Sequence, residues 1–207
     1  MSSVKHRRHH IIKIVGIVLP AMPFTVIVGS LSFSLLQGAL HLDFSQEYRQ
    51  VDGAEQITFR ENWQHKIYRR SFWGLRSVGK EERDIYDMQD VEKAEDEEAI
   101  VSWLDTDVYD VSESREHIVW YDWQEEKIFL GDLGGEILQA YETQDMVEQI
   151  VFSPDGKYIL FCEIEYGVNG GYSTDEEYCS YRAIDIGDGA QYKVYGGYRE
   201  WFKVYWE

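Results

Sequence analysis

The chain has 207 residues and a formal net charge of −18, because 38 Asp and Glu outnumber 20 Lys and Arg. A surface this acidic repels the phosphates of nucleic acids, so a nucleic acid partner is excluded. Aromatic residues make up 15% of the chain, with seven Trp and fifteen Tyr. This content excludes a disordered acidic tail, since disorder accompanies low hydrophobicity and few aromatics. We therefore expect one folded domain of modest size.

An uncharged apolar run, Ile14 to Leu40, follows a short basic segment. It is longer than the roughly 20 residues that a helix needs to cross the hydrocarbon of a bilayer, and we predict a transmembrane helix over residues 14–42. Basic residues favour the cytoplasmic side. Residues 1–13 are therefore expected in the cytoplasm, and the rest of the chain outside it, in a single-pass protein of the cell membrane. A cleaved signal peptide is the alternative, although its apolar core is normally about 7–15 residues long.

The outer part begins with a polar stretch, residues 43–56, which we predict to be a stalk. A β-rich domain is expected over residues 57–207. Two β-prone runs near its start, residues 57–59 and 66–73, are separated by polar residues and predict a first hairpin.

Residues 60–80 are basic although the rest of the domain is acidic. One interpretation is a site for an anionic ligand or for lipid headgroups near the membrane, with Arg69, Arg70 and Arg76 as the candidate anion-binding residues. The other is that these bases offset acids elsewhere on the surface, since surface ion pairs are weak evidence of function.

An acidic run follows in residues 81–98, and its apolar residues recur at a spacing that predicts an amphipathic helix over residues 91–104. Asp105, Asp107 and Asp110 come nearest to a calcium-binding loop but lack its glycine. We therefore predict a solvated charged face here, and neither a metal site nor a cofactor.

The best defined local structure lies in residues 150–165, where two apolar runs flank Pro154, Asp155 and Gly156. Proline presets φ for the first turn position, aspartate can hydrogen-bond the backbone, and glycine accepts a positive φ. These three residues therefore predict the structural turn of a β-hairpin.

The strand after this turn is apolar on both faces from Ile159 to Phe161, which is typical of a strand between two layers, and we expect it to become half exposed at Glu163. It also carries Cys162. If residues 169–171 form the tip of a second hairpin, Cys162 lies directly opposite Cys179, within the reach of a disulfide. Two buried free thiols are the alternative.

The hairpin sequence has an earlier, weaker copy. When Ser112 is aligned with Ser153, one apolar strand falls on another without a gap, but Arg115 stands where the later copy has Gly156. We therefore expect the earlier copy to have lost its turn chemistry. The distance between the copies, about 40 residues, suits a four-stranded propeller blade. The copies cover about residues 108–146 and 147–199.

Residues 152–161, Phe-Ser-Pro-Asp-Gly-Lys-Tyr-Ile-Leu-Phe, resemble the repeat of the TolB-type, WD40-like β-propellers. The resemblance implies a mainly β fold in which the Pro-Asp-Gly turn joins adjacent strands of a blade, and it carries over no catalytic residue. A closed ring usually needs at least about four blades, whereas a third copy would only begin near Tyr205. We therefore expect an antiparallel β-sheet domain of blade-like repeats, either an incomplete propeller or a small sandwich.

The sequence contains no catalytic signature such as G-x-S-x-G or H-E-x-x-H. The leading hypothesis is a membrane-anchored, non-catalytic module that binds a protein partner or a second copy. A sheet edge left unpaired by the incomplete repeat favours such pairing. The candidate contact residues are Trp201, Phe202, Tyr205 and Trp206. The second hypothesis is a ligand sensor or enzyme accessory domain that binds an anion through residues 60–80. The third is an enzyme whose pocket collects acidic residues from separate strands.

Overall fold

The computed structural model describes residues 41–61, 65–80, 101–165, 178–198 and 202–207. Within them the fold is mainly β, with twelve strands in three four-stranded antiparallel sheets. No described helix has the length and apolar character that crossing a bilayer requires. Residues 14–40 of the predicted transmembrane helix, Trp201 and most of the predicted helix over 91–104 lie outside the described residues. The predicted end of the transmembrane helix at residue 42 is wrong, because Leu42 forms an isolated antiparallel β-bridge with Gly74.

Sheet 1 combines strands from both ends of the described chain. Its order is β12-β1-β2-β3. These strands are Phe202–Trp206, Ile57–Glu61, Lys66–Ser71 and Gly74–Lys80. β1 and β12 pair in antiparallel register, with Phe59 opposite Val204, and both of these side chains are buried. The C-terminal strand therefore completes the sheet that the predicted first hairpin, β1 with β2, begins.

The residues before β1 pack against the same domain. Residues 43–56, for which we predicted a stalk, contain two short 3-10 helices, Glu47–Gln50 and Ala54–Gln56. Val51 and Ala54 are buried in the core that also contains the apolar residues of β1, so the prediction of a stalk outside the domain is wrong.

Sheets 2 and 3 are meanders of consecutive strands. Sheet 2 consists of β4 (Tyr109–Val111), β5 (His117–Asp122), β6 (Lys127–Asp132) and β7 (Ile137–Glu142). Sheet 3 consists of β8 (Met146–Phe152), β9 (Tyr158–Glu165), β10 (Tyr178–Asp185) and β11 (Gln191–Tyr198). The predicted hairpin around Pro154 is the pair of β8 and β9.

Sheet 3 is the middle layer. Because side chains alternate along a strand, β9 places Leu160 in a core shared with sheet 1 and Phe161 in a core shared with sheet 2. This confirms the prediction of a strand with two apolar faces. Glu163, however, is only 2% exposed, so the expected half exposure at this residue is wrong. Its carboxylate is buried because it accepts the N–H of Gln144, in the connection between sheets 2 and 3, at 2.8 Å.

Sheets 2 and 3 use the same turn between their first two strands. The N–H of Ser153 donates to the carbonyl of Tyr158 at 2.9 Å, and the Ser153 hydroxyl accepts the N–H of Tyr158 at 2.9 Å. Ser112 makes the same two bonds, at 3.0 and 3.1 Å, to the residue five positions later. Gly156 has a φ of 69° and Arg115 a φ of 56°. The expected loss of turn chemistry in the earlier copy is therefore wrong, because serine supplies the bonds and arginine adopts the left-handed conformation.

The third strands of the two sheets also end alike. The Asp132 carboxylate at the end of β6 accepts the N–H of Gly134 at 2.9 Å. The Asp185 carboxylate at the end of β10 accepts the N–H of Gly187 at 2.8 Å. Equivalent side chains thus fix equivalent turns in both copies.

The three sheets meet along their first strands, β4, β8 and β12. Asp110 in β4 accepts the N–H of Phe152 in β8 at 2.7 Å. Gln149 in β8 donates to the carbonyl of Phe202 at 2.8 Å and accepts the N–H of Val204 at 3.1 Å, both in β12. Side chain to backbone bonds therefore hold the first strands of neighbouring sheets side by side.

Candidate functional site

Strand β12 lies at the edge of sheet 1, where the sequence suggested an edge open to a partner. Gln149 already occupies two of its backbone groups. The hydroxyl of Tyr181 accepts the N–H of Phe202 at 2.7 Å and lies 3.1 Å from its carbonyl, to which it donates. The expectation of an unpaired C-terminal edge is wrong, because β1 pairs with one side of β12 and these two side chains cap the other.

The C-terminal aromatic residues, predicted to contact a partner, are largely covered by the domain itself. Phe202 is buried in the core between sheets 1 and 3, so its prediction as an exposed contact residue is wrong. The ring of Tyr205 lies under the guanidinium of Arg60, 4.0 Å from it. Trp206 stacks on Tyr158 at 6.0 Å. Both are half-buried.

The outer edges of sheets 1 and 3 are also partly capped. In β11 the N–H of Lys193 donates to Glu47, and the N–H of Gly196 donates to Asp43, both at 2.8 Å. At the start of β3, the N–H of Leu75 donates to the carbonyl of His41 at 2.9 Å. These bonds block pairing by an incoming strand along much of β11 and at the start of β3.

The outer edge of sheet 2, strand β7, differs from these edges. Its first four residues are all exposed, and the side chains of Ile137 and Leu138 are 54% and 50% exposed. Within the described residues no side chain caps the backbone from Ile137 to Ala140, and the Gln191 amide bonds only the carbonyl of Glu142, at 3.1 Å. Sequence reasoning missed this edge, because strand order decides which apolar residues lie outside.

A cleft of about 360 Å³ lies on sheet 2 at the end of β5. Its aromatic lining includes Trp103, Trp120 and Trp123. The rings of Trp103 and Trp120 are 5.4 Å apart and nearly perpendicular, at 89°. The indole N–H of Trp103 donates to the carbonyl of Leu133 at 3.3 Å, next to the turn that leads into β7. Trp103 therefore connects the aromatic cleft with the turn that precedes the open edge.

Arg70, one of the anion-binding candidates, is a structural residue. Its side chain is buried and donates to the carbonyls of Asp43, Ser45 and Ser71 at 3.0, 2.7 and 2.9 Å. Its guanidinium also lies 4.5 Å from the centre of the Tyr48 ring. Burial lowers the pKa of Arg70, and the nearby Asp43 carboxylate opposes that shift. The prediction of Arg70 as an anion-binding residue is wrong, because its donors are used within the domain.

The other two candidates, Arg69 and Arg76, lie opposite each other on β2 and β3 and are exposed. Their face of sheet 1 also contains Arg60 and Lys203, which are opposite each other on β1 and β12. We call these four residues the basic face. Its cations already hold one carboxylate, since Glu207 forms an ion pair with Arg60 and lies 4.0 Å from Arg69.

The two cysteines are buried free thiols. The predicted direct pairing is wrong, because Cys162 lies opposite Tyr181 and Cys179 lies opposite Ile164. The cysteines are thus diagonal neighbours, for which Cα atoms are about 7–8 Å apart, beyond the usual range of about 4.4–6.8 Å for a disulfide. Burial raises the pKa of the Cys162 thiol well above its ordinary value, and the adjacent Cys179 thiol adds to the shift.

Two buried acids, Asp43 and Glu163, and the half-buried Asp110 act on backbone groups. Asp43, Asp110 and Glu163 each accept at least one backbone N–H. Arg182 also lies 3.6 Å from Glu163. Burial raises the pKa of Glu163, against the effects of its bond to Gln144 and of the Arg182 charge. In the described part of the chain no group of three or more His, Cys, Asp and Glu side chains is arranged to hold a metal ion.

No family model matches the chain, and no curated protein matches it either. Its function therefore has to be argued from the surfaces described above.

Proposed function

We propose that the chain is a single-pass membrane protein whose extracytoplasmic domain, built of propeller-like blades, binds a protein partner through strand β7. The uncharged run from Ile14 to Leu40 supports the anchor. The likeness of residues 152–161 to a propeller repeat supports the blades, as do the equivalent turns at Ser112 and Ser153.

The open edge of β7 is the observation that carries the proposal. A strand at a sheet edge presents N–H and C=O groups to which an extended segment of another chain can pair. The neighbouring side chains Ile137 and Leu138 supply apolar area, and apolar contact adds to affinity when it is removed from water. β12 and much of β11 are capped, and β3 is capped only at its start. Among the uncapped segments β7 carries two large exposed apolar side chains, Ile137 and Leu138, whereas β3 carries one, Val78, and an incoming strand is therefore directed to sheet 2.

A non-catalytic role accords with the use of the acids that are buried or half-buried. Asp43, Asp110 and Glu163 fix connections between strands, so their carboxylates serve the fold. The module is therefore proposed to work by binding.

Site-specific photocrosslinking in native membranes tests this function. Benzoylphenylalanine is placed at Gln139 in β7 and, as a matched control, at Val78, an exposed position on the outer strand of sheet 1. Irradiation should give one discrete adduct from Gln139 and none from Val78. Leu138→Lys should abolish it, since an edge lysine opposes strand pairing.

The mass of the adduct identifies the partner, and an adduct of twice the 24.4 kDa chain mass indicates a second copy. Absence of an adduct at Gln139, or an equal yield at Val78, contradicts binding through β7.

A second candidate function is the binding of an anionic ligand by the basic face, and one observation favours it. Arg60 and Arg69 already hold the Glu207 carboxylate. Titration of the full chain with inorganic phosphate, followed by calorimetry, tests it. The double variant Arg69→Ala with Arg76→Ala should weaken binding, whereas Lys157→Ala, at the exposed turn of sheet 3, should not.

A further inference from the structure

Three exposed aromatic rings cluster beside the start of the described chain. We call Phe44, Phe72 and Trp73 the aromatic knob. Trp73 is 60% exposed, the highest value among the large apolar side chains of the described residues. Its ring packs edge-on against those of Phe72, at 4.6 Å, and Phe44, at 5.9 Å. A cluster of this kind in water signals a surface that is used for contact.

The knob is fixed to the residues that follow the uncharged run, which ends at Leu40. The N–H of Asp43 donates to the carbonyl of Trp73 at 3.0 Å. Gly74 has a φ of 138°, and a Cβ there would lie 2.0 Å from the carbonyl oxygen of His41. Only glycine allows this close approach, which holds the turn between β2 and β3 against the incoming chain.

This attachment determines how far the knob can lie from the bilayer. The uncharged run ends at Leu40, and the carbonyl of His41, the next residue, already accepts the N–H of Leu75 at 2.9 Å. One residue spans at most about 3.6 Å. If residues 14–40 cross the membrane, the knob lies at the level of the lipid headgroups.

The chemistry of the knob suits that level. Aromatic side chains with one polar group, Trp above all, are enriched at the interface between hydrocarbon and water. Arg49 lies 5.1 Å from the centre of the Phe72 ring, so a cation that can pair with lipid phosphates adjoins the knob. The predicted anchor, the short connection from it to the knob and the aromatic rings therefore all indicate that the knob contacts the surface of the bilayer.

We propose that the aromatic knob docks into the headgroup region of the membrane and fixes the orientation of the outer domain there. The proposal rests on the membrane anchor of the proposed function. It gives the first turn of sheet 1 a role in positioning that is separate from partner binding at β7.

The test uses the full chain labelled with 5-fluorotryptophan in lipid nanodiscs. Trp73→Phe and Trp123→Phe assign the two fluorine resonances, and Trp123 is a matched control because it is also exposed but lies on sheet 2. Lipids that carry a nitroxide on the headgroup should broaden the Trp73 resonance several-fold more than the Trp123 resonance.

Extraction at alkaline pH, performed on liposomes of the same lipids, separates the two proposals. A chain that stays inserted but shows equal broadening of Trp73 and Trp123 overturns docking and leaves the anchor intact. A chain that is extracted overturns both. A Trp73 resonance that is insensitive to nitroxide lipid but shifts with protein concentration identifies a second copy as the occupant, and this also overturns docking.

Discussion

Sheets 2 and 3 are built alike but are covered differently. Sheet 3 lies between the other two sheets and buries side chains on both faces, with Cys162 on one and Phe161 on the other. Sheet 2 buries one face against sheet 3, and the segment containing Val101 and Leu104 packs on the other. The large exposed apolar side chains of the described residues all lie outside sheet 3.

Sheets 2 and 3 differ in how they are covered but share the bonds of their turns. Ser112 and Ser153 make the same turn bonds although the residues around them differ. A few side chains that bind the backbone are therefore enough to define the unit. The outer sheet exposes residues such as Leu138, and this exposure is the reason that we propose sheet 2 as the site for a partner.

Truncation of a buried aromatic side chain should show the largest difference in stability between the middle sheet and sheet 2. Phe161→Ala removes a side chain that is completely buried between sheets 2 and 3 and should lower the free energy of unfolding by about 3–5 kcal/mol. Phe129→Ala, on the outer face of sheet 2, should cost less. Its ring neighbour Trp120 contacts the exposed Trp103, and this layer can relax into the space.

Denaturant unfolding of the full chain in detergent micelles, followed by circular dichroism, measures both losses. Equal losses for the two variants would show that the outer face of sheet 2 is as rigidly packed as the middle layer.

Removal of the buried carboxyl group of Glu163 should change the stability of the middle sheet by less than the core truncation does. Burial raises the pKa of Glu163 above its ordinary value of 4.5, so the folded state holds the proton more tightly than the unfolded state. The stability from this group is present at low pH and is lost as the pH rises through the raised pKa. Glu163→Gln keeps an acceptor for the Gln144 N–H and should gain stability relative to the wild type as the pH rises from 4.5 toward neutrality.

Unfolding free energies measured across this pH range test the sign. Glu165→Gln is the matched control, because it removes one negative charge from an exposed position of the same strand. A Glu163→Gln curve that stays parallel to the wild-type curve would mean that Glu163 does not titrate differently in the folded state.

Local parts of this fold can be predicted from the sequence, and distant pairings cannot. The turn at Gly156 and the two apolar faces of β9 follow from neighbouring residues. The pairing of Ile57 with Trp206 joins opposite ends of the domain, and no local pattern encodes it. For the same reason the candidate site was only partly predictable: Phe202 is buried by a strand far away in sequence, and the exposure of β7 follows from its position in the sheet order.

The smallest predicted effect concerns the turns themselves. Arg115 has a φ of 56° where sheet 3 has glycine, a conformation that is unfavourable for residues with a Cβ. Arg115→Gly should therefore stabilise the domain by about 0.5–1 kcal/mol. Gly156→Ala should destabilise it by about 1 kcal/mol, since an added Cβ meets open space and only the backbone conformation is affected.

Glu116→Gly is the control for the first change, because Glu116 is exposed in the same turn and is not among the described residues with positive φ. This control substitution should lower the free energy of unfolding by about 0.5 kcal/mol, because glycine gives the unfolded chain more entropy. Opposite signs for Arg115→Gly and Glu116→Gly in denaturant midpoints would show that the earlier repeat stores strain where the later one has none. The same sign for both would mean that arginine fits this turn as well as glycine does, and the degenerate copy would then carry no conformational cost.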